Sequence, residues 1–295
     1  MTTDGTTPPT TNPADLLDEV LARLAGTPDP RLLGLMTALV THLHAFACDV
    51  RLTEAEWAAG IRFLTEIGQL SDDNRQEFVL ASDTLGVSML VDLLANDASS
   101  GATESTVLGP FYVPGSPERP NGTSTAERPS GDPAFVSGRV LSADGAPIGG
   151  ARVDVWQNGA DMLYAVQDPD APSSNLRGVF TTDAAGRFSF IGVRPVDYPI
   201  PADGPVGRML AATGRHPWRA AHLHVIVSAD GFRSVTTHLF DDGSRYLDSD
   251  AVFGVKPSLI KHFTLHPAGS ADPPPGIATH QQWYSVSQDF VLDRN

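Results

Sequence analysis

His222-Leu223-His224 is the sharpest chemical signal in the chain. On a β-strand, residues i and i+2 point to the same face, so both imidazoles would aim at one spot, as chelation of a metal ion requires. Leu223, Val225 and Val227 would then point the other way, into a core. Two histidines alternating at the rim of a sandwich give the same pattern without any metal. The five tyrosines are Tyr112, Tyr164, Tyr198, Tyr246 and Tyr284. Tyr198 sits in Arg194-Pro195-Val196-Asp197-Tyr198-Pro199-Ile200-Pro201, where prolines on both sides stiffen an extended loop and would fix its side chain. A phenolate is a hard oxygen donor that suits Fe(III), outside the zinc sets of His, Cys and carboxylate. The plainer use of any one tyrosine is packing, with its hydroxyl tied to backbone. Arg219 lies three residues before His222. It could face the same cavity and stabilise negative charge developing on a bound ring, or it could form a surface salt bridge.

These residues need elements to position them. Residues 14–25 repeat Leu16, Leu17, Val20, Leu21 and Leu24 at helical spacing, with Gly26 as a stop. Residues 30–48 carry a second apolar helical pattern. Thr53 followed by Glu56 predicts a capping box at the start of a third helix. A fourth helix is predicted from Asp73 to about Leu94. On it Leu80, Asp83 and Val87 are spaced by three and four and share a face that is apolar apart from Asp83. Near Ser99 the texture changes to short strands with turns between them. Strands are predicted at 136–141, 152–157, 180–182, 187–190, 222–228, 234–240 and finally near 283–292, after a proline-rich loop over 267–282. Asp183-Ala184-Ala185-Gly186 reads as a hairpin turn, and so does Ala229-Asp230-Gly231. The expected fold is α+β: a disordered terminus over 1–13, a helical segment over 14–98, and an antiparallel β-sandwich over 99–295.

The formal net charge of −15 argues against nucleic acid and anionic lipid surfaces as partners. The single cysteine, Cys48, permits no internal disulfide, so the fold needs no oxidising compartment. No signal peptide is visible, and no stretch approaches the apolar length of a membrane span. A cytoplasmic location is the default expectation.

Several stretches, in order, resemble the intradiol ring-cleavage dioxygenases. They are Thr106-Val107-Leu108-Gly109-Pro110-Phe111-Tyr112, Val153-Asp154-Val155-Trp156-Gln157, Arg194-Pro195 with Tyr198, Gly214-Arg215-His216-Pro217-Trp218-Arg219-Ala220-Ala221-His222-Leu223-His224, and Val227-Ser228-Ala229-Asp230-Gly231. The resemblance covers roughly residues 78–291. It is closest to the hydroxyquinol-cleaving branch, through Tyr198-Pro199-Ile200-Pro201, Asp203-Gly204-Pro205-Val206-Gly207-Arg208-Met209-Leu210, and residues 246–254. Two positions depart from the pattern: Met162 where a glycine is expected before Tyr164, and His238 where the catechol-cleaving branch usually has Gln.

The resemblance implies Fe(III) held by Tyr164, Tyr198, His222 and His224, with Tyr198 and Arg219 as catalytic groups. It implies a cavity bordered by Leu80, Asp83, Val107, Leu108, Gly109, Pro110, Phe111, Ile200, Pro201, Arg219 and Val252. The reaction implied is cleavage of hydroxyquinol (1,2,4-trihydroxybenzene) by O2 to 3-hydroxy-cis,cis-muconate, the enol form of maleylacetate, in aromatic degradation. The family pattern further implies a homodimer through the N-terminal helices, which can bind phospholipid. The competing readings are a catechol or chlorocatechol 1,2-dioxygenase, a zinc hydrolase using His222 and His224 but lacking a well-placed third ligand, and a non-catalytic β-sandwich binding module. A selective pocket should give the third hydroxyl of hydroxyquinol a polar partner, and Asp83 is the candidate. An Asp bonded to backbone or to an Arg is the competing use.

Overall fold

The computed structural model describes residues 12–72, 75–96, 101–128, 130–269 and 272–295. Of the terminus expected to be disordered, residues 1–11 lie outside the described residues, as do residues 97–100, where the texture changes. Two compact units are present, Met1–Thr65 and Glu66–Asn295.

In the first unit, Asn12 caps α1 (Pro13–Leu24) by accepting from the amide of Asp15. Asp29 caps α2 (Pro30–Asp49) by accepting from Arg31 and Leu32. Both caps precede a proline in the first turn, where its missing N–H costs nothing. The predicted capping box opens α3 (Glu54–Leu70): Thr53 N donates to Glu56 Oε2 at 2.9 Å and Glu56 N donates back to Thr53 Oγ1 at 3.3 Å. None of α2 is buried, and Leu32, Leu35, Leu39, Leu43 and Phe46 form one exposed stripe at spacings of three and four. By length and composition α2 could cross a membrane, which corrects the expectation that no segment approaches that length.

The fourth helix is not continuous. It is α4 (Glu77–Thr84) and α5 (Val87–Ala95), bent by 75°. Residues 73–74 of its expected start lie outside the described residues. The break falls at Gly86, whose φ of +75° is the left-handed conformation that ends helices. Leu80 and Asp83 are therefore buried on α4, whereas Val87 begins α5 and is 48% exposed. The expected shared face does not reach it.

Two five-stranded sheets make the sandwich. One contains β1 (Pro133–Ser142) and β4 (Arg187–Val193), with three C-terminal strands: β10 (Thr264–His266), β11 (Trp283–Ser287) and β12 (Phe290–Leu292). The other runs β3-β2-β7-β8-β9, from β3 (Arg177–Thr181) and β2 (Arg152–Trp156) through β7 (His222–Ser228) and β8 (Val235–Asp241) to β9 (Ile260–Lys261). Most pairings are antiparallel, as expected, but β1 runs parallel to β11 and β12, and β8 to β9. Inward residues alternate along the strands: Val153, Val155, Leu223, Val225 and Val227 meet Val136, Val140, Phe188 and Phe190 in the core. The 229–231 turn makes the β7–β8 hairpin as predicted. The 183–186 turn does not make a hairpin: β3 pairs with β2 and β4 with β1, so it carries the chain from one sheet to the other. A two-stranded ribbon of β5 (Tyr198–Pro199) and β6 (Trp218–Arg219), with α6 (Pro205–Ala212) between them, was not foreseen.

Candidate metal centre

The two-residue period of β7 does what the sequence suggests. Leu223, Val225 and Val227 enter the core, and His222 and His224 face the opposite side with their Nε2 atoms 3.0 Å apart. Tyr164, on the loop after β2, brings its hydroxyl to 3.1 Å from His224 Nε2, 3.5 Å from His222 Nε2 and 3.2 Å from the Tyr198 hydroxyl. The β5–β6 ribbon sets Tyr198 directly opposite Arg219. All four side chains are at most 2% exposed. Met162, two residues before Tyr164, has φ +67°, the left-handed region that glycine favours. The loop keeps its geometry despite the methionine, at a cost of about 1 kcal/mol or more.

These spacings fit a metal ion. Donors bound at about 2.1 Å and roughly 90–110° apart lie about 3.0–3.4 Å from one another. His222 Nδ1 donates to Ala220 O at 2.6 Å, which leaves its Nε2 with a lone pair. His224 Nδ1 lies 2.7 Å from His238 Nε2. With that proton on His224, its Nε2 also carries a lone pair; the two nitrogens stand 3.0 Å apart in a dry site, with Arg219 Nη1 3.3 Å from His222 Nε2, an arrangement that suits a cation between them. Burial pushes the Tyr164 phenol well above its usual range, and Tyr198 raises it further. Burial also raises Tyr198, but the Arg219 charge opposes it there. Burial drives His222, His224 and His238 well below the ordinary histidine range, so they are neutral donors. Two phenol oxygens and two neutral imidazoles are a hard donor set.

Five neighbours complete the site. Arg219 is 2% exposed, not on the surface: its Nη1 donates to the Tyr198 oxygen at 3.3 Å, and Asp250 grips it through Nε at 3.1 Å. Burial disfavours the guanidinium charge, but Asp250 together with the Tyr198 and Tyr164 oxygens more than offsets this and holds Arg219 above its usual range. Asp250 also accepts from the amides of Ala220 at 3.2 Å and Gly254 at 2.9 Å. Aromatic faces fix the donors: Trp156 stacks on His224 at 4.6 Å and Phe111 on Tyr164 at 4.7 Å. Gly109, at φ +76°, lies so close to His224 that a Cβ would stand 3.3 Å from its ring.

His238 makes a third buried histidine with His222 and His224, the cluster a zinc reading would want. Its Nε2 is spent on the back of His224, however, and its Nδ1 has no partner. It is placed as an orienting group and not as a ligand. Sequence reasoning noted His238 without a role and missed Asp250. Neither lies in a ligand-like spacing; His238 could have been read as the β8 partner of His224.

A cavity of about 680 Å³ is lined by Asp83, Val107, Leu108, Gly109 and Pro110, with Ser82, Ser88 and Tyr112 among its other walls. Leu80, Phe111, Ile200, Pro201, Arg219 and Val252 do not line it. Phe111 lies against Tyr164, and Val252 packs with Met89 and Val107. Burial raises the pKa of Asp83 and the Asp250 charge adds to this, while Ser88 and the Arg219 charge oppose it.

A family model described as the catechol dioxygenase N terminus matches residues 29–103, and one described as dioxygenase matches residues 107–294. The chain is 47% identical to a 6-chlorohydroxyquinol 1,2-dioxygenase of Cupriavidus pinatubonensis, over 95% of this chain and 96% of that one. It is 48% identical to a hydroxyquinol 1,2-dioxygenase of Nocardioides simplex, over 94% of each. Its fold matches the crystal structure of a hydroxyquinol 1,2-dioxygenase from Pseudomonas putida with a TM-score of 0.88, at 47% identity over 96% of this chain and 99% of that one. The catechol 1,2-dioxygenase of Acinetobacter radioresistens matches with a TM-score of 0.84, at 26% identity over 97% and 94%.

The His238 contact gives a prediction. His238→Gln keeps an acceptor for His224 Nδ1–H and should retain bound iron. His238→Leu removes it and should weaken iron affinity about 10–100-fold, as losses of outer partners of metal ligands do. Iron titration of the two variants checks this; equal affinity in both would remove the orienting role.

Proposed function

This chain belongs to the intradiol ring-cleavage dioxygenases, and we propose that it cleaves hydroxyquinol between its adjacent hydroxyls with O2, giving 3-hydroxy-cis,cis-muconate. The observation that carries this reading is the convergence of Tyr164, Tyr198, His222 and His224 within 3.0–3.5 Å beside Arg219. The 47–48% identity to hydroxyquinol-cleaving relatives supports the substrate.

These four residues would hold Fe(III), which when bound acts as a Lewis acid that gathers and polarises both substrate oxygens. The chain supplies the rest. The Tyr198 oxygen accepts a substrate proton, and Arg219 Nη1, 3.3 Å away, steadies the charge on it before that transfer. Asp250 fixes the guanidinium, so the same positive charge is already in place when negative charge develops on the ring. The balance is simple: ring cleavage inserts both atoms of O2, and the product is the substrate plus O2. Val107, Leu108, Gly109 and Pro110 wall the ring on its apolar side, with Leu80, Phe111, Ile200, Pro201 and Val252 behind and around them. Asp83 accepts from the third hydroxyl. Its raised pKa does not prevent this, because either form of the carboxyl offers an acceptor oxygen.

We read the α2 stripe as the surface that a second copy covers, with phospholipid able to fill what remains apolar. Five large apolar side chains on one exposed face exceed what single scattered residues explain. We place the protein in the cytoplasm, in keeping with the unpaired, exposed Cys48.

Four outcomes are expected. Arg219→Ala, loaded with iron, should lose on the order of 100-fold or more in kcat and much less in substrate affinity. Oxygen uptake on a panel of substituted catechols should favour hydroxyquinol, and Asp83→Ala should lower the ratio of kcat/KM for hydroxyquinol over catechol about tenfold, the scale of one ordinary hydrogen bond. A preference for catechol or chlorocatechol would replace the substrate, and a protein that takes up no iron would remove the ferric reading. Sedimentation should find a dimer that Leu35→Glu with Leu39→Glu dissociates; a wild-type monomer that floats with liposomes would assign α2 to lipid instead.

A further inference from the structure

Helix α4 carries Leu80 and Asp83, and one stretch of chain holds both its ends. At the N-terminal end, Glu77 is fully buried and accepts from the amide of Val206, in the first turn of α6, at 3.3 Å. Arg75 donates to Glu77 from Nε at 3.0 Å and grips Asp203 with Nη1 and Nη2 at 3.0 and 2.8 Å. At the other end, Arg215 donates from Nη1 to the carbonyl of Thr84, the last residue of α4, at 2.6 Å. Its Nη2 donates to the carbonyl of Ala251 at 2.9 Å. Both α4 and α6 have eight residues, about 12 Å of helix each, so the flanks of one reach the two ends of the other. A side chain at Gly204 would collide with this arrangement, its Cβ standing 2.5 Å from Glu77 Oε1 and 2.7 Å from Arg75 Nη2.

The Ala251 carbonyl matters because of its neighbours. Asp250 grips Arg219, and Val252 packs in one cluster with Val107, which lines the cavity. The Arg215 guanidinium also lies over the Phe253 ring at 5.0 Å, and that ring sits 3.5 Å from where a Cβ on Gly86 would be, at the α4–α5 break. One cation thus joins the helix that carries Asp83 to the loop whose Asp250 clamps Arg219. Arg215 itself touches none of the four metal donors and does not line the 680 Å³ cavity.

We propose that residues 203–215 form a bracket setting the position of Asp83 relative to Arg219, with Arg215 as a specificity-determining positioning residue. This rests on the reading of Asp83 as the partner of the third hydroxyl. A guanidinium fits this position because it is planar and always charged. It serves two carbonyls at a fixed separation, which a single ammonium does not reproduce. Loosening the bracket moves Asp83 without moving the donors on β5 and β7. The contact to the third hydroxyl weakens, while capture of the two adjacent hydroxyls is kept.

The test uses iron-loaded full-length Arg215→Lys and Arg215→Met, with Glu77→Gln at the opposite end in case the methionine variant does not fold. KM for hydroxyquinol should rise about five- to tenfold, on the scale of one hydrogen bond, with kcat for both substrates and KM for catechol within about twofold of wild type. The visible phenolate-to-iron charge-transfer band should not move. Amide hydrogen exchange in residues 80–84 and 250–254 should speed up in the same variants, a readout of the bracket independent of any substrate. Unchanged exchange overturns the bracket. Faster exchange with equal losses on both substrates overturns its role in selection and leaves Arg215 a stabilising residue. A wild-type enzyme without preference for hydroxyquinol would instead overturn the substrate reading, and the exchange data would still decide the bracket.

Discussion

The two-residue period of β7 is the constraint on which the rest of the molecule depends. A single strand supplies Leu223, Val225 and Val227 to the core and His222 and His224 to the site. A slip of one residue in its pairing would bury two imidazoles among hydrocarbon and turn the core residues outward. Because β7 is the central strand of its sheet, held by β2 on one side and β8 on the other, that slip would break two ladders at once. The sandwich core therefore protects the alignment of the donor atoms. His224 is further enclosed by its strand neighbours, with Trp156 directly opposite on β2 and His238 directly opposite on β8.

A second constraint is electrostatic. The site gathers neutral imidazoles and phenols in a dry interior, where a lone charge is costly. Arg219 is the exception, and Asp250 is what makes it tolerable: the carboxylate meets the guanidinium and two backbone amides. Removing one partner of such a buried pair leaves the other uncompensated, typically at a cost of about 3–5 kcal/mol. The ion pair thus does two things. It pins residues 250–254 to β6, and it holds a positive charge next to the Tyr198 oxygen, where a phenolate would otherwise be disfavoured by burial.

Much of this was legible in the sequence wherever one local rule decided the matter. The capping box at Thr53, the alternation along β2 and β7, and the β7–β8 turn each follow from spacing alone. The Tyr164, Tyr198, His222 and His224 set came from the family resemblance, and the strand period accounted only for its two histidines. What stayed hidden depends on tertiary partners. Gly86 breaks a helix whose apolar spacing runs straight through it, and the bend is met by partners distant in sequence: Phe253 beside Gly86 and Arg215 on the Thr84 carbonyl. The 183–186 turn has hairpin residues but joins two sheets, since each flanking strand finds a better partner elsewhere. Asp250 lies 31 residues from Arg219 in a stretch rich in acids, and nothing local marks which of those acids is buried.

The site and its pocket are built to different tolerances, and the architecture follows from that. Metal donors must converge within a few tenths of an ångström, so the two histidines sit on a central strand and Tyr198 on a ribbon bound to Arg219. Choosing between a diol and a triol needs only one hydrogen bond in the right place, worth about 1 kcal/mol. That contact can be carried by a short helix outside the sheets, provided its ends are fixed. In α4 they are, by Glu77 at one end and Arg215 at the other. An eight-residue helix is too short to be stable alone, so its position is inherited from whatever pins it. Selectivity can then change through the pins and the loop at 250–254 without disturbing the donor atoms. On the proposed reading, residues that touch neither substrate nor metal help determine what the enzyme accepts.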